Sequence, residues 1–161
     1  MLVVIEIERR VVPVLGVTAH PNQRWVTQVA RNFAAELEEA GRSLRFLIRD
    51  RDTKFTTRLD HIFASIGVET ILAPVRSPRA NAFAERWVRT LRRDCLDHLL
   101  VLSPQHLETI LAHYVDHYNR ARPHRGLQLT PPRSPAAPHA TGAIRRRDVL
   151  GGLIHEYELA A

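Results

Sequence analysis

Apolar residues recur three or four positions apart between Asn22 and Ala40, at Trp25, Val26, Val29, Phe33 and Leu37. That spacing predicts a helix with one buried face, and Gly41 supplies a stop. The same period predicts helices near 57–66 (Leu59, Ile62, Phe63, Ile66), from about Asn81 to Leu96, and over 104–121 (Leu107, Ile110, Leu111, Tyr114, Val115, Tyr118). Ser103-Pro104 sets a cap before a first-turn proline. Shorter β-branched or alternating runs predict strands at 2–8, 11–18, 44–49 and 68–74. Pro13 puts the second of these at a sheet edge, and the first two read as a hairpin. Near the end, two strand-like runs flank Gly151-Gly152 and predict a hairpin with a two-residue turn. The order β-β-α-β-α-β-α-α describes an α/β sheet covered by helices.

Organisation follows from the breaks in this pattern. Residues 1–130 read as one core, 131–142 (PPRSPAAPHATG) as a proline- and alanine-rich linker, and 143–161 as a short hairpin-like tail. The length of 161 residues suits one domain of ordinary size. No apolar run reaches the length of a membrane span, and the start has no basic region of the kind that opens a signal peptide. The single Cys95 excludes an internal disulfide and suits a reducing cytoplasm.

Charge narrows the partner. The net charge is +6, and only Lys54 among 23 basic residues is lysine. Such a balance favours an anionic partner, nucleic acid first. Arginine suits bidentate phosphate contacts, although biased codon usage explains the same excess equally well.

The stretch RDRDTKF (49–55) ends the third strand with Asp50, at the carboxyl edge where open sheets place ligands. Glu85 lies near the start of a helix, one helix, one strand and a loop later. Two carboxylates meeting at a sheet edge can hold Mg²⁺, which shares oxygen ligands with phosphates. From spacing alone, solvated surface acids explain the pair better.

The surroundings of Glu85 shift that balance. SPRANAFAERWVRTLRRDCLDH (77–98) carries Pro78, Asn81 and Glu85 as P-x-x-N-A-x-x-E-R, and YNRARPHRGLQLTP (118–131) carries Y-N-x-x-R-P-H-x-x-L-x-x-x-T-P. Together with RDRDTKF, a counterpart of D-x-G-x-x-F, these motifs resemble the integrase core of DDE transposases and retroviral-type integrases, above all those of bacterial insertion sequences. The resemblance covers about residues 2–132. It implies an RNase H-like mixed sheet flanked by helices, DNA integration by metal-dependent strand transfer, and Asp50 and Glu85 as the second and third catalytic, metal-binding acids. Mg²⁺ or Mn²⁺ would be the cofactor, and DNA the partner of a homo-oligomer in the bacterial cytoplasm, associated with the nucleoid. Neither a membrane nor a small-molecule cofactor is expected. Asp52, where the family often has glycine, reads as a turn residue tolerating an unusual backbone angle.

The resemblance also exposes a gap. No aspartate precedes Asp50, whereas the family places its first acid on a central first strand. The expectation is therefore an amino-terminally truncated core whose first strand is missing and which is inactive. Glu6 is a weak substitute, and it and Glu8 read as hairpin surface groups. The alternative function is a non-catalytic nucleic-acid-binding or assembly module. A nuclease of another RNase H-like family is disfavoured by the closing YN-RPH motif.

Further basic residues are candidates for DNA contact: Lys54, and Arg86, Arg89, Arg92 and Arg93 along one helix side, because phosphate contacts dominate such affinity. Trp87 reads as core. His113 and His117 have zinc-compatible spacing but lack a third ligand, so structural histidines are the better reading. Asn119 and the Arg122-Pro123 step read as ending the last helix and pinning it to the core. A direct catalytic role for His124 is the lesser reading of that residue.

Overall fold

The computed structural model describes residues 1–75, 81–133 and 142–159. Pro78 and most of the expected linker (134–141) fall outside them. The architecture is mixed α/β, and the chain divides into two compact units: Met1–Leu2 with Leu15–Arg86, and Val3–Val14 with Trp87–Ala161.

In the first unit, helix α1 spans Gln23–Glu39. Asn22 caps it by accepting the Trp25 N–H at 2.9 Å, satisfying a donor the helix itself cannot. Val26, Val29, Ala30, Phe33, Ala34 and Leu37 are buried along one face, as the spacing requires. Gly41 turns the chain out of the helix at φ +60°, a conformation that costs a side-chain-bearing residue. Strand β3 (Phe46–Arg49) then leads through helix α2 (Thr57–Ser65) to strand β4 (Glu69–Leu72). The two strands pair in parallel from Phe46 opposite Glu69 to Arg49 opposite Leu72. Phe33 of α1 meets Phe63 of α2 edge to face, with ring centroids 6.4 Å apart.

Helix α3 (Ala82–Asp94) carries the boundary between the units, after Arg86. In the second unit, α3 contributes buried Trp87 and Leu91, and helix α4 (Pro104–Arg120) contributes Ile110, Leu111 and Tyr114. Val11, Val12 and Cys95 complete this core. Asn119, itself buried, accepts the Val12 N–H at 3.0 Å and donates to the Val12 carbonyl at 2.9 Å. Its amide thus satisfies both backbone groups of a valine far back in the chain.

Several expectations change in detail. The amino-terminal strands are shorter than 2–8 and 11–18: β1 is Leu2–Val3 and β2 is Val14–Gly16. The turn between them is held by Glu6 accepting the Arg10 N–H at 2.7 Å. Among the described residues the strands pair only in twos: β1 with β2, β3 with β4, and β5 (Ile144–Val149) with β6 (Ile154–Leu159). The last pair is the expected hairpin, but its loop holds four residues rather than two. Val149 opposite Ile154 is the final pair. Leu150, Gly151 and Gly152 all take positive φ, and Leu153 N–H closes a tight turn on the Leu150 carbonyl. Glu156 of this tail is buried, 7% exposed. His117 Nδ1 of α4 lies 2.8 Å from its Oε1, and Arg147 donates to its Oε2. No helix among the described residues is long and apolar enough to cross a membrane.

Candidate active site and basic surfaces

Asp50 follows β3 and is half-buried. Its Oδ1 accepts the Asp52 N–H at 3.0 Å, and Asp52 Oδ1 accepts the Lys54 N–H at 2.9 Å. These are two successive Asx turns, the local bonding that suits aspartate to such loops. Asp52 is therefore the expected turn residue, although it does not take a positive φ. Lys54 Nζ pairs with Asp52 Oδ2 at 2.6 Å. The Lys54 side-chain hydrogen bond, then its backbone one, hold the Asp52 carboxyl below its ordinary range.

The other basic residues of the stretch are also tied down. Arg49 grips Asp60 of α2 through Nε and Nη2, at 2.9 and 2.7 Å, and Nη1 reaches the Asp50 carbonyl at 3.1 Å. Arg51 Nε donates to the Ala73 carbonyl at 3.1 Å. The arginines around Asp50 thus brace the strand ends, a role that the sequence reading assigned to phosphates. Asp60 was not singled out from sequence, because nothing in helical spacing links it to Arg49.

Glu85 closes the first turn of α3, its N–H donating to the Asn81 carbonyl at 3.0 Å. Its side chain is exposed, at the helix end where a negative charge is favoured. Asp50 and Glu85 both belong to the first unit. Among the described residues, no three His, Cys, Asp or Glu side chains group as a metal site. Of the four helix arginines, Arg93 pairs with Asp94 at 2.8 Å and Arg92 stands 3.7 Å from Asp97. Arg86 and Arg89 are exposed and make no ion pair among the described residues.

His124 has a structural place. Its ring packs edge-on against Tyr118 at 4.6 Å, and Nε2 lies 3.2 Å from the Tyr118 carbonyl. Burial foremost pushes its pKa below 6.5. The folded state therefore disfavours the imidazolium. The stabilisation is complete above the unfolded pKa and is lost as pH falls through the lower folded one. Thermal midpoints measured across pH should fall on the acid side of about 6.5, and His124→Gln should flatten that part of the profile. Cys95 is fully buried, which drives its thiol up to about 11 and leaves it a poor nucleophile.

The stretch from Ile66 to Pro132 holds both Glu85 and the closing YN-RPH motif, with Asn119 and His124 in structural positions. Residues 66–132 match the integrase core domain family. Asp50 lies ahead of this integrase core segment. The chain is also similar to an uncharacterized protein of insertion element IS136 from Agrobacterium fabrum, 28% identical over 87 residues, covering 53% of this chain and 45% of the relative. An uncharacterized 31.7 kDa protein of insertion element IS407 from Burkholderia multivorans is 30% identical over 95 residues, covering 58% and 34%. The matched integrase core region thus spans less than half the length of these relatives.

Proposed function

We propose that this chain is the strand-transfer core of an insertion-element transposase, RNase H-like in fold and assembling as a multimer on DNA. The match of residues 66–132 to the integrase core domain carries this reading, since it contains Glu85 and the closing motif. Asp50 and Glu85 are the acids assigned to the reaction. Asp50 keeps Oδ2 without a partner, and the exposed Glu85 carboxylate makes no ion pair, among the described residues. That donor set suits one Mg²⁺ or Mn²⁺ completed by phosphate oxygens. It does not suit a pair of cations about 3.5–4 Å apart, for which a third bridging acid is needed.

When bound, the metal would supply Lewis-acid polarisation at a phosphodiester. Asp50, braced by Arg49 and the Asx turn, would hold its ligand oxygen fixed. Arg86 and Arg89 would meet the DNA backbone. With only two acids the chain as it stands should not join DNA ends, and the non-catalytic module is the reading favoured if that defect cannot be repaired.

The decisive experiment is a strand-transfer assay with Mg²⁺ or Mn²⁺. The chain alone should give no product. Placing a strand bearing aspartate ahead of Met1 should restore joining, and Asp50→Asn or Glu85→Gln should abolish it again. Activity that survives Glu85→Gln would sink the assignment. Robust joining by the unextended chain would show that another acid, Glu6 first, has taken the missing role.

A further inference from the structure

A cavity of about 750 Å³ opens at the start of α1, where the loop after Asp50 meets it. Arg24 and Arg31 reach it from one side of α1, two turns apart with Gln28 between them, and Arg58 reaches it from α2. None of the three arginines makes an ion pair among the described residues, and no carboxylate lines the cavity. This contrasts with Arg49, Arg92 and Arg93, each of which faces an acid. Unpaired guanidinium groups around one concavity leave a strong local demand for an anion.

Three further observations give that anion a chemical identity. Two helices begin at the cavity, α1 after Asn22 and α2 after Thr56. The first turn of α1 carries no acid to offset its positive end. Thr56 makes no cap hydrogen bond, and its Oγ1 is shielded from solvent without a partner among the described residues. That hydroxyl is a donor awaiting an acceptor oxygen. Trp25 lines the same cavity, half-buried, so an aromatic surface stands beside the cations. A phosphate flanked by an aromatic ring is the pattern by which proteins hold a nucleic-acid strand.

We propose that this cavity is a phosphate-binding subsite for a DNA strand, with Arg24, Arg31 and Arg58 on the phosphate oxygens and Trp25 against an adjoining base. The proposal rests on the DNA-joining reading above and adds a second contact surface to it, separate from α3. Its position follows from the chain: Gln23 Nε2 donates to the Thr53 carbonyl at 3.2 Å, three residues after Asp50. A strand held here would be anchored next to the loop that carries the candidate catalytic acid.

The test is a titration of the full chain with a labelled single-stranded oligonucleotide of about 16 nucleotides at several salt concentrations, read by anisotropy and by tryptophan emission. Trp87, the other tryptophan, is buried, so quenching reports Trp25. The wild-type protein should show quenching on binding, reversed by excess inorganic phosphate. Arg31→Gln/Arg58→Gln should lose about tenfold in affinity at low salt and about two units of salt slope, one per lost phosphate contact. Arg89→Gln should keep the quench. Trp25→Phe should remove the quench. Wild-type affinity, slope and quench in the double variant would overturn the subsite while leaving the DNA-joining reading intact. Absence of any DNA binding by the folded wild type would overturn both.

Discussion

Asn119→Leu should cost about 4 kcal/mol of stability, as two buried backbone groups each left unsatisfied cost about 1–3 kcal/mol. The Val12 N–H and carbonyl both end on the Asn119 amide, at 3.0 and 2.9 Å, and Val12 is fully buried, so water cannot replace the lost partner. Leucine fills a similar volume, which makes the loss a matter of hydrogen bonding rather than of a cavity. Equilibrium denaturant unfolding checks it, with a lower midpoint at unchanged slope. Asn119→Asp should be nearly as harmful, because a carboxylate accepts from the N–H but cannot donate to the carbonyl. If the leucine variant unfolds at the wild-type midpoint, the pairing is not a source of stability.

Trp87→Ala should cost about 4 kcal/mol, the usual scale for deleting a buried aromatic. Its ring meets Tyr114 and Tyr118 edge to face, with centroids 6.4 and 6.2 Å away, so the truncation removes two aromatic contacts along with the buried area. Tyr114→Phe provides the contrast. The Tyr114 hydroxyl is buried with no hydrogen-bond partner among the described residues, and burial pushes its pKa far above the ordinary phenol value. Removing an unpaired polar atom should change stability by less than about 1 kcal/mol, toward greater stability. Calorimetric midpoints of the two variants should therefore move in opposite directions. A large loss for Tyr114→Phe would reveal a partner for that hydroxyl.

The helices were legible because burial on one face repeats every three or four residues, and Trp25, Phe33, Leu91 and Tyr114 all obey that period. Strand length was not, since alternation marks where a strand can form but not whether a neighbour pairs with it. Leu2–Val3 and Val14–Gly16 stay short although β-branched residues continue between them. The hairpin loop was misjudged because Leu150 adopts a positive φ that sequence does not advertise in a β-propensity run. At the site, Asp50 and Glu85 were found through motifs, and the loop chemistry of Asp52 through its residue type. The partners of Arg49 and His117, and the backbone target of Asn119, were invisible. Each joins residues on different elements, so no local period encodes them.

The parallel pair β3–β4 has a colloidal consequence. Parallel strands belong almost wholly to sheets covered on both faces, yet Phe46, Ile48, Ile71 and Leu72 remain 43, 40, 38 and 41% exposed. Open strand edges with apolar flanks attract further strands, including those of other molecules. Arg45 lies over the Phe46 ring at 4.7 Å and brings a charge to this edge, which acts as a gatekeeper against such stacking. Solubility, through this one arginine and four apolar side chains, sets the working concentration of the protein before its unfolding free energy does.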